Sequence, residues 1–96
     1  MKTLEELALL VDGTKILGDA AVQITGVEHD SRKISAGNLF VCFEGAHVDG
    51  HNFIGQAVSN GAAAVLTARK NFEPPAGISA IIVPDMLKAL AVIVPY

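Results

Sequence analysis

The run Leu39-Phe40-Val41-Cys42-Phe43 contains no polar residue that could turn toward water. An apolar stretch of this length without alternation is the pattern of a strand covered on both faces and placed centrally in its sheet. Downstream of it, Gly45 and Gly50 bracket a loop, and Phe53, Ile54, Ala57 and Val58 then share one face of a short amphipathic helix. Asn60-Gly61 ends that helix as a C-cap. Ala62 to Thr67 follows at once, and the glycine stop with the Val-Leu-Thr ending favours a buried strand over a continued helix. Asn71 to Gly77 is a loop, because Pro74-Pro75 removes two backbone donors. Ser79 to Val83 reads as another strand, and Asp85 caps a last helix with Leu87, Leu90, Ala91 and Val94 on its apolar face.

Upstream, the turn signal Ala36-Gly37-Asn38 and the polar stretch Asp30-Ser31-Arg32-Lys33 separate the central strand from Val22 to Val27. That segment alternates and is rich in β-branched residues, and its Gly26 marks a bulge or a close backbone approach. The chain opens with a helix in which Leu4, Leu7, Ala8 and Val11 recur at helical spacing, Thr3 and Glu6 form a capping box, and Asp12-Gly13 is the stop. The order helix, strand, strand, helix, strand, strand, helix predicts a single α/β domain, a small mixed β-sheet flanked by helices.

Composition narrows the function classes. Of the 96 residues, 51% are hydrophobic and only 18% charged, so part of the apolar surface is expected to face a partner. A net charge of −3 without a basic stripe speaks against nucleic-acid binding. Glu5 and Glu6 precede any apolar stretch, which is unlike a signal peptide, and no segment approaches the roughly 20 apolar residues of a membrane span. A cytoplasmic location without membrane insertion is the expectation. The lone Cys42 lies inside the apolar run and reads as a buried, inert thiol. The Val- and Ile-rich last helix stops at Pro95-Tyr96 with no polar tail. The chain is therefore expected to continue, with 85–96 leading toward a further domain.

Two segments are more specific than ordinary loops: Asp30-Ser31-Arg32 leading through Ala36-Gly37-Asn38 to Leu39-Phe40-Val41-Cys42, and Gly45-Ala46-His47-Val48-Asp49-Gly50-His51. With Ala57 and the pair Gly61-Ala62, they resemble the opening domain of the Mur ligases, and the resemblance covers nearly the whole chain. Ala36 and Asn38 stand where that family usually has Pro and Asp, changes compatible with the same turn. Within the family the sequence looks most like the MurE type, which adds the third amino acid to UDP-N-acetylmuramoyl-L-alanyl-D-glutamate in peptidoglycan precursor synthesis. The ligase adding D-alanyl-D-alanine is the nearest alternative. The resemblance implies that this domain, residues 1–96, holds the uridine-diphosphate end of the substrate. The other domains of the ligase would hold ATP and magnesium and bring the amino acid. No Gly-x-x-x-x-Gly-Lys-Ser/Thr phosphate loop occurs in these residues, so this stretch is expected to bind neither cofactor and to supply no catalytic residue.

The resemblance places the uridine-diphosphate contacts on Ser31, His29, Ala46, His47 and Val48. A serine hydroxyl both donates and accepts, which suits a uracil edge or a phosphate oxygen. Backbone groups of the second loop can read uracil whatever the side chain, so Ala46 and Val48 can serve. Each residue also has a plainer role. Ser31 beside Asp30 can make a local turn, Arg32 can pair with Asp30 or Glu28, and Asp49 can cap the helix that starts near Gly50. Arg32 and Lys33 would help an anionic ligand only modestly, since salt screens exposed charge. His47 and His51 lack a third ligand for a metal. A free-standing α/β interaction module would explain the apolar surplus but not the two motifs. One geometric question stays open. Strands joined by so short a link as 29–39 are ordinarily antiparallel, which would send Ser31 and the 46–48 loop to opposite ends of the sheet. Either the two strands are not neighbours, or the 33–38 stretch carries the chain back across.

Overall fold

The structure, a computed structural model, describes residues 1–94; the Pro95-Tyr96 ending lies outside the described residues. Thr3 starts the first helix, α1 (Leu4–Ala8), with a complete capping box in which its hydroxyl accepts from the Glu6 amide and the Glu6 carboxylate accepts from the Thr3 amide. The helix is shorter than its apolar periodicity suggested. After Ala8 the backbone tightens into three-residue turns, Leu10 N to Leu7 O and Val11 N to Ala8 O, and Val11 still packs on the core.

Lys2–Thr3 (β1) pairs antiparallel with Gln23–Ile24 (β3), making a small two-stranded sheet. The main sheet has five strands: Lys15–Leu17 (β2), Gly26–Glu28 (β4), Asn38–Val41 (β5), Ala64–Thr67 (β6) and Ser79–Ile82 (β7), in the spatial order β2-β7-β6-β5-β4. Strands β4, β5, β6 and β7 are mutually parallel, and β2 closes the far edge antiparallel to β7. The expected mixed sheet is therefore present, with two differences in its strands. The Val22–Val27 segment is broken at Thr25, whose amide and hydroxyl bond Gly37 O and Ala36 O, so its halves enter different sheets. At Gly26 a Cβ would lie 3.3 Å from Nδ2 of the Asn38 side chain, so the close neighbour there is a side chain and not backbone. The added strand is β2, which the sequence pattern does not announce.

The apolar run of β5 feeds two cores. Leu39 and Val41 join Leu66, Ile81, Leu4, Leu7, Ala89 and Ile93 on one side, while Phe40 and Cys42 join Ile54, Ala57 and Val65 on the other. Helices α1 and α3 (Met86–Ile93) cover the first face, and α2 (Ile54–Ser59) covers the second. The result is a three-layer α/β arrangement. β5 is internal as expected, although β6 occupies the middle position. Asp85 caps α3 by accepting from the Lys88 amide, but the buried face is Met86, Ala89, Leu90 and Ile93. Leu87, at 77% exposure, and Val94 turn outward instead.

Candidate functional site

β4 and β5 end on the same side of the sheet because they are parallel neighbours, Val27 facing Leu39 and Glu28 facing Phe40. The return between them is a 3-10 turn at Ser31–Lys33 followed by a turn at Ser35–Asn38, in which Asn38 N bonds Ser35 O at 3.1 Å. A short irregular link thus performs the crossover that normally needs a helix. The open question of strand direction is answered: the chain is carried back across, and both motifs leave the sheet at its carboxyl edge.

Asp30 shapes the first motif. Its carboxylate accepts from the Arg32 amide at 2.9 Å and pairs with the Arg32 guanidinium at 2.9 Å. Those hydrogen bonds, side chain first and then backbone, hold its carboxyl down at about 2. The local turn is therefore made by Asp30, which leaves Ser31 free for other work. Ser31 is buried, and its hydroxyl donates across 25 positions to Gln56 Oε1 of α2 at 2.5 Å, while its carbonyl accepts from Asn60 Nδ2 at 2.9 Å.

The second motif is a hairpin loop beyond β5, closed by Gly45 N to Val48 O at 2.9 Å and Gly50 N to Phe43 O at 2.7 Å. Gly50 is required by this closure, since a Cβ there would lie 2.9 Å from Phe43 N and 3.1 Å from Cys42 Cα. Asp49 caps the 3-10 turn Gly50–Phe53 through the His51 amide, as its sequence position suggested. The amides of Ala46, His47 and Val48 have no partner among the described residues.

Between the two motifs lies an open cavity of about 510 Å³ lined by His29, Ser31, Phe43, Val48, Phe53 and Gln56, with Asp30, Arg32, Phe40, Val41, Gly45 and Gly50 completing its wall. Its rim is apolar: Phe43 is 41% exposed, Phe53 42% and Val48 61%. The His29 ring meets Phe43 edge-on, with centroids 5.9 Å apart. Of the expected contact residues, Ser31, His29 and Val48 line this cavity, whereas the exposed Ala46 and His47 do not and adjoin it only through their loop. Phe43, Phe53 and Gln56 were not singled out by sequence. The phenylalanines read as core, and nothing in the pattern ties Gln56 to Ser31.

Cys42 is 2% exposed, and burial pushes its thiol up to about 12, so it is inert as its position suggested. No cluster of three His, Cys, Asp or Glu that could hold a metal occurs among the described residues. Nor is any described helix long and apolar enough to cross a membrane.

Residues 23–96 match the Mur ligase family, catalytic domain. Over 82 residues the chain is 42% identical to the UDP-N-acetylmuramoyl-L-alanyl-D-glutamate--2,6-diaminopimelate ligase of Bacteroides thetaiotaomicron, covering 85% of this chain and 17% of that protein. It is 38% identical over 85 residues to UDP-N-acetylmuramyl-tripeptide synthetase 2 of Oceanobacillus iheyensis, again covering 85% of this chain and 17% of that one. Among solved structures it is similar to MurF from Acinetobacter baumannii, with a TM-score of 0.75 and 30% identity over 92% of this chain and 19% of that chain. The chain thus spans about a sixth of the length of the curated relatives it matches. A match over most of the sequence, together with a shared fold, shows that this chain belongs to the Mur ligase family.

Proposed function

We propose that the cleft between the two motifs holds the uridine-diphosphate end of UDP-N-acetylmuramoyl-L-alanyl-D-glutamate. In this reading residues 1–96 are the first domain of an ATP-dependent, amide-forming ligase of the MurE type, acting in peptidoglycan precursor synthesis. The observation that carries the reading is the convergence of Ser31 and the Gly45–Val48 loop on one cavity at the carboxyl ends of parallel strands, the usual ligand position in open α/β sheets. The chemistry of the wall suits the ligand. The apolar rim of Phe43, Phe53 and Val48 offers a face for a flat base, and the adjoining loop, outside the wall at Ala46 and His47, carries unpartnered amides at 46–48 that can donate to its carbonyl oxygens.

ATP and magnesium belong to the rest of the ligase in this proposal, with 85–96 leading toward it, and no residue here acts on the reacting atoms. The D-alanyl-D-alanine-adding ligase shares the fold, but the MurE reading is favoured by 42% identity to a relative named as a UDP-N-acetylmuramoyl-L-alanyl-D-glutamate--2,6-diaminopimelate ligase, against 30% to MurF.

Isothermal titration calorimetry tests the proposal. UDP-N-acetylmuramoyl-L-alanyl-D-glutamate should bind this chain with a dissociation constant of about a millimolar or somewhat below, because one wall of a shared site recovers little of the association cost. ATP with magnesium should give no binding heat. Binding of ATP with no response to the uridine nucleotide would contradict the assignment.

A further inference from the structure

Behind the 45–48 loop, outside the cavity wall, five polar side chains form one connected network. Asp49 Oδ1 lies 2.7 Å from His51 Nδ1, and His51 Nε2 lies 2.7 Å from Thr67 Oγ1 at the end of β6. Thr67 Oγ1 accepts from the Arg69 amide at 3.1 Å. The Arg69 guanidinium returns to the loop, donating to Asp49 Oδ2 at 2.9 Å and to Glu44 Oε1 at 3.2 Å. The order carboxylate, imidazole, hydroxyl looks like a nucleophilic triad, but its burial forbids that use. Thr67 is fully buried and the His51 side chain is 5% exposed, so no substrate reaches the hydroxyl.

The donor pattern has one consistent solution. An ionised carboxylate only accepts, so His51 Nδ1 carries the proton toward Asp49 and Nε2 accepts from the Thr67 hydroxyl. Both His51 ring nitrogens and the Thr67 hydroxyl proton are then used, and no buried side-chain polar atom among the described residues lacks a partner. What the network joins is informative. Glu44 and Asp49 are the bridged pair at the base of the hairpin, while Thr67 ends the neighbouring strand and Arg69 lies two residues beyond it.

We infer that the Asp49–His51–Thr67–Arg69 network is a positioning device that fixes the 45–48 loop against β6, so that ligand affinity depends on residues that never touch the ligand. The inference rests on the proposed uridine site. Its reason is preorganisation: the tip of the loop has no internal bonds beyond Gly45 to Val48, so its amides keep one orientation only if the base is held. A loop released at its base must be ordered again by each ligand that binds.

The test uses Thr67→Val, which keeps the buried shape and removes the hydroxyl, Thr67→Ser, which restores it, and Arg69→Met, which alters only a partly exposed side chain. Binding of UDP-N-acetylmuramoyl-L-alanyl-D-glutamate is followed from amide shifts, and loop order without ligand from ¹⁵N relaxation. Thr67→Val and Arg69→Met should each bind about tenfold more weakly, the factor of one ordinary hydrogen bond. Residues 45–48 should be more mobile in both, and Thr67→Ser should match the wild type. Wild-type binding with unchanged affinity in Thr67→Val and Arg69→Met overturns the inference and leaves the uridine site standing. Equal weakening in Thr67→Ser also overturns it, because the hydroxyl is then not the active feature. A wild-type chain that shows no response at all overturns the site and the inference together.

Discussion

Ser31 is a polar residue buried at the floor of a cleft, where its hydroxyl is satisfied by donating a hydrogen bond to Gln56 Oε1. Ser31→Ala leaves Gln56 without that donor, which should lower stability by about 1–2 kcal/mol in thermal melts and weaken uridine-nucleotide binding in the same protein. Asp49 makes a second prediction at this scale. The His51 amide, then the His51 ring and Arg69, draw its carboxyl from 3.8 down to about 2. A carboxyl depressed on folding contributes stability that is present above its unfolded value and is lost as the pH falls through the folded one. Melting temperatures of the wild type and Asp49→Asn should therefore differ at pH 5 and converge between about pH 4 and pH 2. A gap that stays constant across that window would mean that Asp49 is not held by these partners. The Asp49 cap could be read from sequence because it is local. The ties of Asp49 to Arg69 and of Ser31 to Gln56 could not, since nothing in a one-dimensional pattern relates residues 20 and 25 positions apart.

Elements were legible where periodicity had one solution. The internal strand β5, the helix at Ile54–Ser59 with its Gly61 stop, and the capped start of α1 all follow from local signals. Gly61 has a φ of +111°, and a Cβ there would sit 2.9 Å from Ala36 Cα. Gly61→Ala should accordingly cost about 1–3 kcal/mol, measured by denaturant unfolding. In helix α3 the sequence pattern admits two apolar faces. Lys88 is the only polar side chain in it, so the stripe Leu87, Leu90, Ala91 and Val94 satisfies helical spacing as well as Met86, Ala89, Leu90 and Ile93 does. Only the sheet it packs on decides between them. Ile93→Ala should destabilise by about 2–4 kcal/mol and Leu87→Ala by less than about 0.5 kcal/mol; equal effects would reverse the face assignment. Strand β2 has no sequence signature because three residues hold too little alternation to read, and its partner β7 lies more than sixty positions away.

At the scale of the whole molecule, the decisive feature is the parallel pairing of β4 with β5 across a short link. Sequence rules favour the antiparallel solution for such a link, and what overrides them is a chain of specific bonds. Asp30 caps the 3-10 turn, Asn60 holds its backbone, and Asn38 and Thr25 fix the return. That topology brings Ser31 and the 45–48 loop to one cleft, which the family resemblance required and the residues alone left open. The measurement that tests this most directly is a two-dimensional ¹H–¹⁵N titration of the chain with UDP-N-acetylmuramoyl-L-alanyl-D-glutamate, with ATP as control. The account predicts shifts confined to His29, Ser31, Phe43, Gln56 and the 45–48 amides for the uridine nucleotide, and none for ATP. Shifts centred elsewhere, such as at β2 or the outward face of α3, or no shifts at millimolar ligand, would contradict it.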